Sequence, residues 1–289
     1  MNTLQFSGQN FVPVELFEGD FSHGLILICD HARNCLPEEY GRLGLEPDQF
    51  ERHIAYDIGA RDLTIGLAKR LGVPAVLSTF SRLLIDPNRG EDDPTVIMGL
   101  SDGAVVPGNY PMDQIERQKR LDLYYRPYHQ AIETAIGRAM ESGVVPAIFS
   151  IHSFTNMWRG MFRKWDVALL WDSDPRFSHP LLDKLRRSGD LVVGENEPYD
   201  GALRNDTMFR HCVVHGLAHT LIEIRQDLIQ EKSGVQEWID RLAPMLEQIN
   251  KLEELHVIRH FGSRTGPVET EKISIPQATE SLTTVSGEK

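Results

Sequence analysis

Short apolar runs alternate along this chain with longer stretches whose apolar residues recur at intervals of three and four. The first run, Gly24 to Cys29, is continuous, the pattern of a strand buried on both faces. It leads directly into Asp30-His31-Ala32-Arg33-Asn34. From about Pro47 to Leu71 the residues Phe50, Ile54, Ile58, Ile65, Ala68 and Leu71 keep the helical period, and Gly72 then Pro74 is a stop signal, so one long helix is expected there. A strand at 74–79 follows, then a loop and an irregular glycine- and aspartate-rich segment from Gly90 to Pro111. A second long helix is expected from about Met112 to Met140, with Leu121, Tyr125, Tyr128, Ile132 and Ile136 on its apolar side; Pro127 should kink or split it. Further strands are expected near 146–151, 166–171, 191–193 and 219–224, with helical or loop segments around 177–188 and 207–216. Residues 234–256 read as a C-terminal helix with Val235, Trp238, Ile239, Leu242, Met245, Leu246 and Ile249 in its stripe. After Phe261 the chain turns to Ser, Thr, Gly and Glu, so one domain over 1–262 and a disordered tail over 263–289 are expected. Strands alternating with helices predict an α/β protein whose sheet is covered on both faces.

Composition narrows the class. Hydrophobic residues at 41% and charged residues at 25% of 289 describe an ordinary soluble globular chain. A net charge of -12 and the lack of any Lys/Arg-dense stripe argue against a nucleic-acid partner. No apolar run approaches the roughly 20 residues that span a bilayer. Met1 to Phe6 lacks the basic and apolar regions of a signal peptide, and Cys29, Cys35 and Cys212 are an odd set without framework spacing, so a reduced, cytoplasmic protein is expected. Cys29 and Cys35 flank His31 but lack the spacing and the second pair of a structural zinc site. There is no phosphate-binding loop, dinucleotide glycine fingerprint or Gly-x-Ser-x-Gly elbow.

The candidate chemistry gathers at strand ends. His31 and His152 each follow or close an apolar strand, and Glu223 lies in the strand Thr220 to Ile224. Two histidines and a glutamate so placed are the parts of a mononuclear zinc hydrolase, in which the carboxylate takes a proton from water and returns it to the leaving amine. Each residue alone also has a plain structural reading, a hydrogen-bonded histidine or a salt-bridged glutamate. Asp57, set among apolar residues within 53–60 beside Gly59 and Ala60, is a candidate third ligand if it is not simply ion-paired. Asn34 competes with it, although a neutral amide is a poor zinc donor, and His53 could ligate or orient Asp57. Arg82 and Arg89 surround a proline-fixed turn and suit a carboxylate, unless they pair with Glu91-Asp92-Asp93. Arg225 would pin Glu223 or meet an anionic substrate; Arg159 and Arg163 offer the same role, and Tyr199 offers a donor to cap the site or an ordinary turn residue.

Six ordered blocks give the chain a resemblance to the N-formylglutamate amidohydrolase family over roughly residues 23 to 230: 29–34, 53–60, 81–89, 150–155, 196–199 and 222–228. That family is similar in fold to zinc carboxypeptidases and zinc-dependent cell-wall amidases. The resemblance implies a three-layer α/β/α domain with a mixed central sheet, Zn2+ at His31 and His152, general-base work by Glu223, and substrate-carboxylate binding by Asn88 and Arg89. Asn34 stands where the carboxypeptidase pattern has glutamate, which makes Asp57 the better heir to the third ligand position. Asn156 stands where relatives commonly have proline, which changes a loop beside the site. The expected activity is zinc-dependent hydrolysis of N-formyl-L-glutamate or a related N-acyl amino acid. The alternatives are a binding or regulatory protein on the same scaffold and an amidase for peptide or cell-wall amides.

Overall fold

The computed structural model describes residues 11–273. The start of the chain (1–10) and the end of the expected tail (274–289) lie outside the described residues.

Strands are β1 (Val14–Phe17), β2 (Leu25–Cys29), β3 (Ala75–Ser78), β4 (Leu100–Ser101), β5 (Ala104–Val105), β6 (Ala147–Phe154), β7 (Met157–Trp158), β8 (Met161–Phe162), β9 (Val167–Leu170), β10 (Val193–Glu195) and β11 (His219–Arg225). Helices are α1 (Ala60–Leu71), α2 (Gln114–Arg120), α3 (Arg126–Glu141), α4 (Pro175–Ser188) and α5 (Lys232–Ile249). Seven strands form one sheet in the order β1-β3-β2-β6-β11-β9-β10, and β4-β5 and β7-β8 are small separate hairpins. The sheet is mixed: β3, β2, β6 and β11 run parallel, while β1 on β3 and β9 on β11 are antiparallel. No helix among the described residues is long and apolar enough to cross a membrane.

Strand parity sorts the side chains. Leu25, Leu27, Phe149, Ile151, Ile222 and Ile224 pack with α1, α4 and α5 on one face. Ile26, Ile28, Ile148, Ala168, Leu170 and Leu221 pack with α3 on the other. His152 and Glu223, an even number of residues from Ile148 and Leu221, therefore point to the α3 face.

Several local expectations change. The helix expected from Pro47 to Leu71 is a short 3-10 turn at Pro47–Glu51, a loop, and then α1. Gly59 ends the loop with φ +81, and a methyl group there would meet the Ile229 carbonyl oxygen at 2.1 Å, so backbone contact stops the helix short. Ile54 and Ala55 instead pack with Leu43, Leu83 and Val106 in a small third cluster. The second long helix is α2 and α3 joined by a π-helical turn at Leu121–Tyr125, immediately before Pro127. The edge strand β1 was not anticipated. The segment 263–273, expected to be disordered, is packed: Arg264 donates to Asp200 at 2.6 Å and 2.9 Å, Glu271 N–H to the Val214 carbonyl at 2.9 Å, and Ile273 rests on the core.

Candidate active site

β6 and β11 run side by side in register, with Glu223 opposite His152. Two residues beyond Cys29, at the carboxyl end of β2, stands His31. The ends of parallel strands are where such sheets place ligands. Asp57 is brought in by the loop before α1, not by a helix; its N–H donates to the His31 carbonyl at 2.9 Å, which ties the two segments together. The Nδ1 atoms of His152 and His31 lie 2.7 Å and 3.4 Å from Asp57 Oδ2. The donor atoms of His31, Asp57 and His152 are all within 4.8 Å of one another and all three residues are buried.

Behind these three sits a second ring of groups. His31 Nε2 is 2.7 Å from Asp86 and His152 Nε2 is 3.0 Å from Asp30. Tyr128 and Thr207 hydroxyls donate to Asp30 at 2.9 Å and 2.8 Å, and Arg82 donates to Asp86 at 2.6 Å and 3.1 Å. Each histidine is thus held by a carboxylate on one ring nitrogen with the other turned to Asp57, the arrangement that orients metal-binding imidazoles. Burial would raise Asp57, but His31 and His152 outweigh it and hold the carboxyl low. Burial would lower His152, but Asp30 and Asp57 keep it well above the usual histidine value. Asp86 is held well below its ordinary value because Arg82 and His31 overcome its burial. Burial pushes Glu223 up to about 7. Asp30, Asp57, Asp86 and Glu223 crowd this site beside two guanidiniums, Arg82 and Arg89, and Glu223 Oε2 lacks any hydrogen-bond partner, so carboxyl groups outnumber the arginines. A divalent cation on the two Nδ1 atoms and Asp57 fits that deficit and the N,N,O donor set zinc accepts.

The cluster opens on a cavity of about 330 Å³ that Glu223, Arg82, Asn88, Arg89 and Tyr199 also line. Arg89 makes one side-chain hydrogen bond, to the Asn88 carbonyl at 2.7 Å, and no ion pair among the described residues. Arg163 lies buried under the rings of Phe154, Trp158 and Tyr199 and donates to the Tyr199 hydroxyl at 2.8 Å.

Other candidates stand apart. Arg225 is taken by Asp227 and Asp166 at 2.7 Å and 2.8 Å, so it neither pins Glu223 nor faces the cavity. Asn34 donates to the Phe50 carbonyl at 2.8 Å, away from the donor cluster. His53 lines the cavity but faces Asp102 at 3.4 Å and the Trp158 ring rather than Asp57. Arg82 pairs with Asp86, not with the 91–93 run, and Glu91 is engaged by Arg126 and Arg210. All three cysteines are free, and Cys29 is a core residue. Asp30 and Asp86 were not among the candidates: Asp30 adjoins His31 in the sequence, which is a usable signal, whereas nothing local marks Asp86, which reaches His31 only through the fold.

A mixed sheet thus presents this histidine–carboxylate cluster at the carboxyl edge of its parallel strands. The chain belongs to the N-formylglutamate amidohydrolase family, whose model matches residues 23–230. It is similar to the crystal structure of gene product Atu2144 from Agrobacterium tumefaciens, at 29% identity and a TM-score of 0.77, over 84% of this chain and 96% of that one. It also shares the fold of an N-formylglutamate amidohydrolase from Ralstonia eutropha JMP134, at 22% identity and a TM-score of 0.59, over 83% of this chain and 98% of that one. No curated protein sequence matches it.

Proposed function

We propose that this protein is a zinc-dependent amidohydrolase that cleaves the linear amide of an N-acyl amino acid, of which N-formyl-L-glutamate is the family's namesake. One observation carries the reading: His31, Asp57 and His152 converge their donor atoms within 4.8 Å on the wall of the cavity that Glu223 also lines. Zinc bound there supplies a Lewis acid that polarises the acyl carbonyl and makes water acidic enough to attack at neutral pH.

The chain's own groups do the rest. Asn88 and Arg89 hold the substrate carboxylate, since Arg89 lines the cavity and forms no close ion pair among the described residues. Glu223 Oε2 accepts a proton from the attacking water as the carbon–oxygen bond forms, then delivers it to the nitrogen as the carbon–nitrogen bond breaks, releasing acid and amine. A carboxyl near 7 is matched to both halves of that task at neutral pH. Tyr199, backed by Arg163, donates to a substrate oxygen, and Arg82 adds positive charge beside Asp57 where the oxyanion develops. Asp30 and Asp86 keep the histidines turned.

The test is zinc content and turnover together, on untagged protein purified without chelator. About one zinc per chain, with amine release from N-acyl amino acids that stops on chelation and returns with zinc, is the expected result. A protein that takes up no metal when zinc is offered at neutral pH would overturn the reading.

A further inference from the structure

One irregular stretch of chain supplies much of the cavity lining. Tyr199, Asp200, Gly201, Leu203, Asp206 and Met208 all line it, yet residues 199–206 form neither helix nor strand, so contacts from outside hold them in place. The root of this wall is fixed to the sheet. Asn196 Oδ1 accepts from the N–H groups of Trp171 and Gly201 at 3.0 Å and 3.1 Å, and a methyl group on Gly201 would meet the Trp171 nitrogen at 2.1 Å. Asn205 adds a bond to Asp92 at 3.0 Å.

The remaining contacts come from 263–273, which lies beyond the residues the family model matches. Arg264 donates to the two Asp200 carboxylate oxygens at 2.6 Å and 2.9 Å, and to the carbonyls of Trp171 and Asp172 at 2.8 Å and 3.1 Å. One guanidinium thus joins the wall to the chain leaving β9. Three residues on, the Pro267 carbonyl accepts from Arg204 at 3.1 Å. This strap is itself anchored: the Arg264 N–H donates to buried Asp172 at 2.8 Å, and the Glu271 N–H to the Val214 carbonyl at 2.9 Å. The Arg264 and Asp200 side chains are 43% and 57% exposed, so their pair adds little to global stability. Its effect is local. It fixes where the wall stands, and it occupies a carboxylate that would otherwise be bare beside an anionic substrate. Hydrogen bonds from Arg264 hold the Asp200 carboxyl below its ordinary value, so that charge is present at neutral pH.

Resting on the amidohydrolase reading, we infer that Arg264 is a positioning residue for substrate binding: through Asp200 it holds the Tyr199-bearing wall and sets the affinity for the N-acyl amino acid. The zinc-loaded full chain is assayed with N-formyl-L-glutamate as Arg264→Ala, and as Arg241→Ala, which breaks a bidentate pair with Asp190 at 2.6 Å and 3.0 Å outside the cavity lining. KM should rise about tenfold in Arg264→Ala with kcat within about threefold, while Arg241→Ala leaves both as they are. Hydrogen exchange read by mass spectrometry should show residues 199–206 opening faster in Arg264→Ala, with β6 and β11 as slow as before. An unchanged KM, a rise shared by Arg241→Ala, or a loss carried by kcat alone overturns the inference. If the parent protein leaves N-formyl-L-glutamate uncleaved, exchange decides separately. Faster opening of 199–206 confined to Arg264→Ala keeps the strap assignment and places the failure in the amidohydrolase reading; unchanged exchange overturns the assignment.

Discussion

Two pairs of buried histidines lie on the same side of the sheet. The rings of His31 and His152 are 4.9 Å apart, and those of His129 on α3 and His211 in the π turn at Phe209–Val213 are 5.1 Å apart. All four are almost fully buried. Their surroundings differ. The first pair is set among Asp30, Asp57 and Asp86 and lines a cavity; the second is bonded within itself, Nδ1 to Nε2 at 2.8 Å, with no carboxylate bonded to either ring among the described residues. The electrostatic result is opposite in sign. Burial and the neighbouring histidine drive His129 well below the usual value, and burial and Arg210 drive His211 to about 3, whereas His152 is raised. Burial by itself gives a neutral packing residue; neighbouring carboxylates reverse the sign of the shift.

The contrast is broken most severely by His152→Ala, which should abolish zinc binding and reduce turnover by several orders of magnitude, while His211→Gln keeps its zinc; elemental analysis of the two proteins reads this directly. Glu223→Gln should lower kcat about 10²–10⁴-fold with zinc retained, because only the proton acceptor is lost. Near-normal kcat in that variant would remove Glu223 from the mechanism. Asp86→Asn should weaken zinc binding about 10–100-fold, measured by competition with a chelator, since His31 then loses the partner that orients it.

The second pair makes its own prediction in acid. An unfolded histidine titrates near 6.5 and His211 in the fold near 3, so the unfolded state binds more protons between those values. Stability is complete above about 6.5 and falls as the pH drops through the window, by up to ~1.4 kcal/mol per pH unit for each such histidine. Urea melts of His211→Gln between pH 6.5 and 4 should show a slope shallower by about one proton. The smallest effect is expected for Asn34→Ala: about 1 kcal/mol of stability from its bond to the Phe50 carbonyl, and no change in zinc content. Loss of zinc in that variant would return Asn34 to the ligand set.

Much of this was legible in the residue order. Continuous apolar runs marked the central strands β2, β6 and β11 because strands buried on both faces need no polar alternation, and His31, His152 and Glu223 were visible as polar residues where such runs end or break. The stripe of α5 was equally plain. Helical periodicity failed over 47–59, where Ile54 and Ala55 satisfy a separate small cluster and the backbone contact at Gly59 forces a loop. Low hydrophobicity failed over 263–273, because Arg264 is held by Asp200 and Trp171 rather than by apolar packing.

The amino-acid order alone determined the α/β class, the strand-end histidines, the glutamate and the family, since these rest on short-range pattern and motif. Only the tertiary structure decided that Asp57 stands beside the histidines while Asn34 bonds the Phe50 carbonyl, and that Arg225 is spent on Asp166 and Asp227. Those outcomes depend on which segments, distant in sequence, the sheet and its loops bring within hydrogen-bonding distance, and local pattern carries no record of that distance.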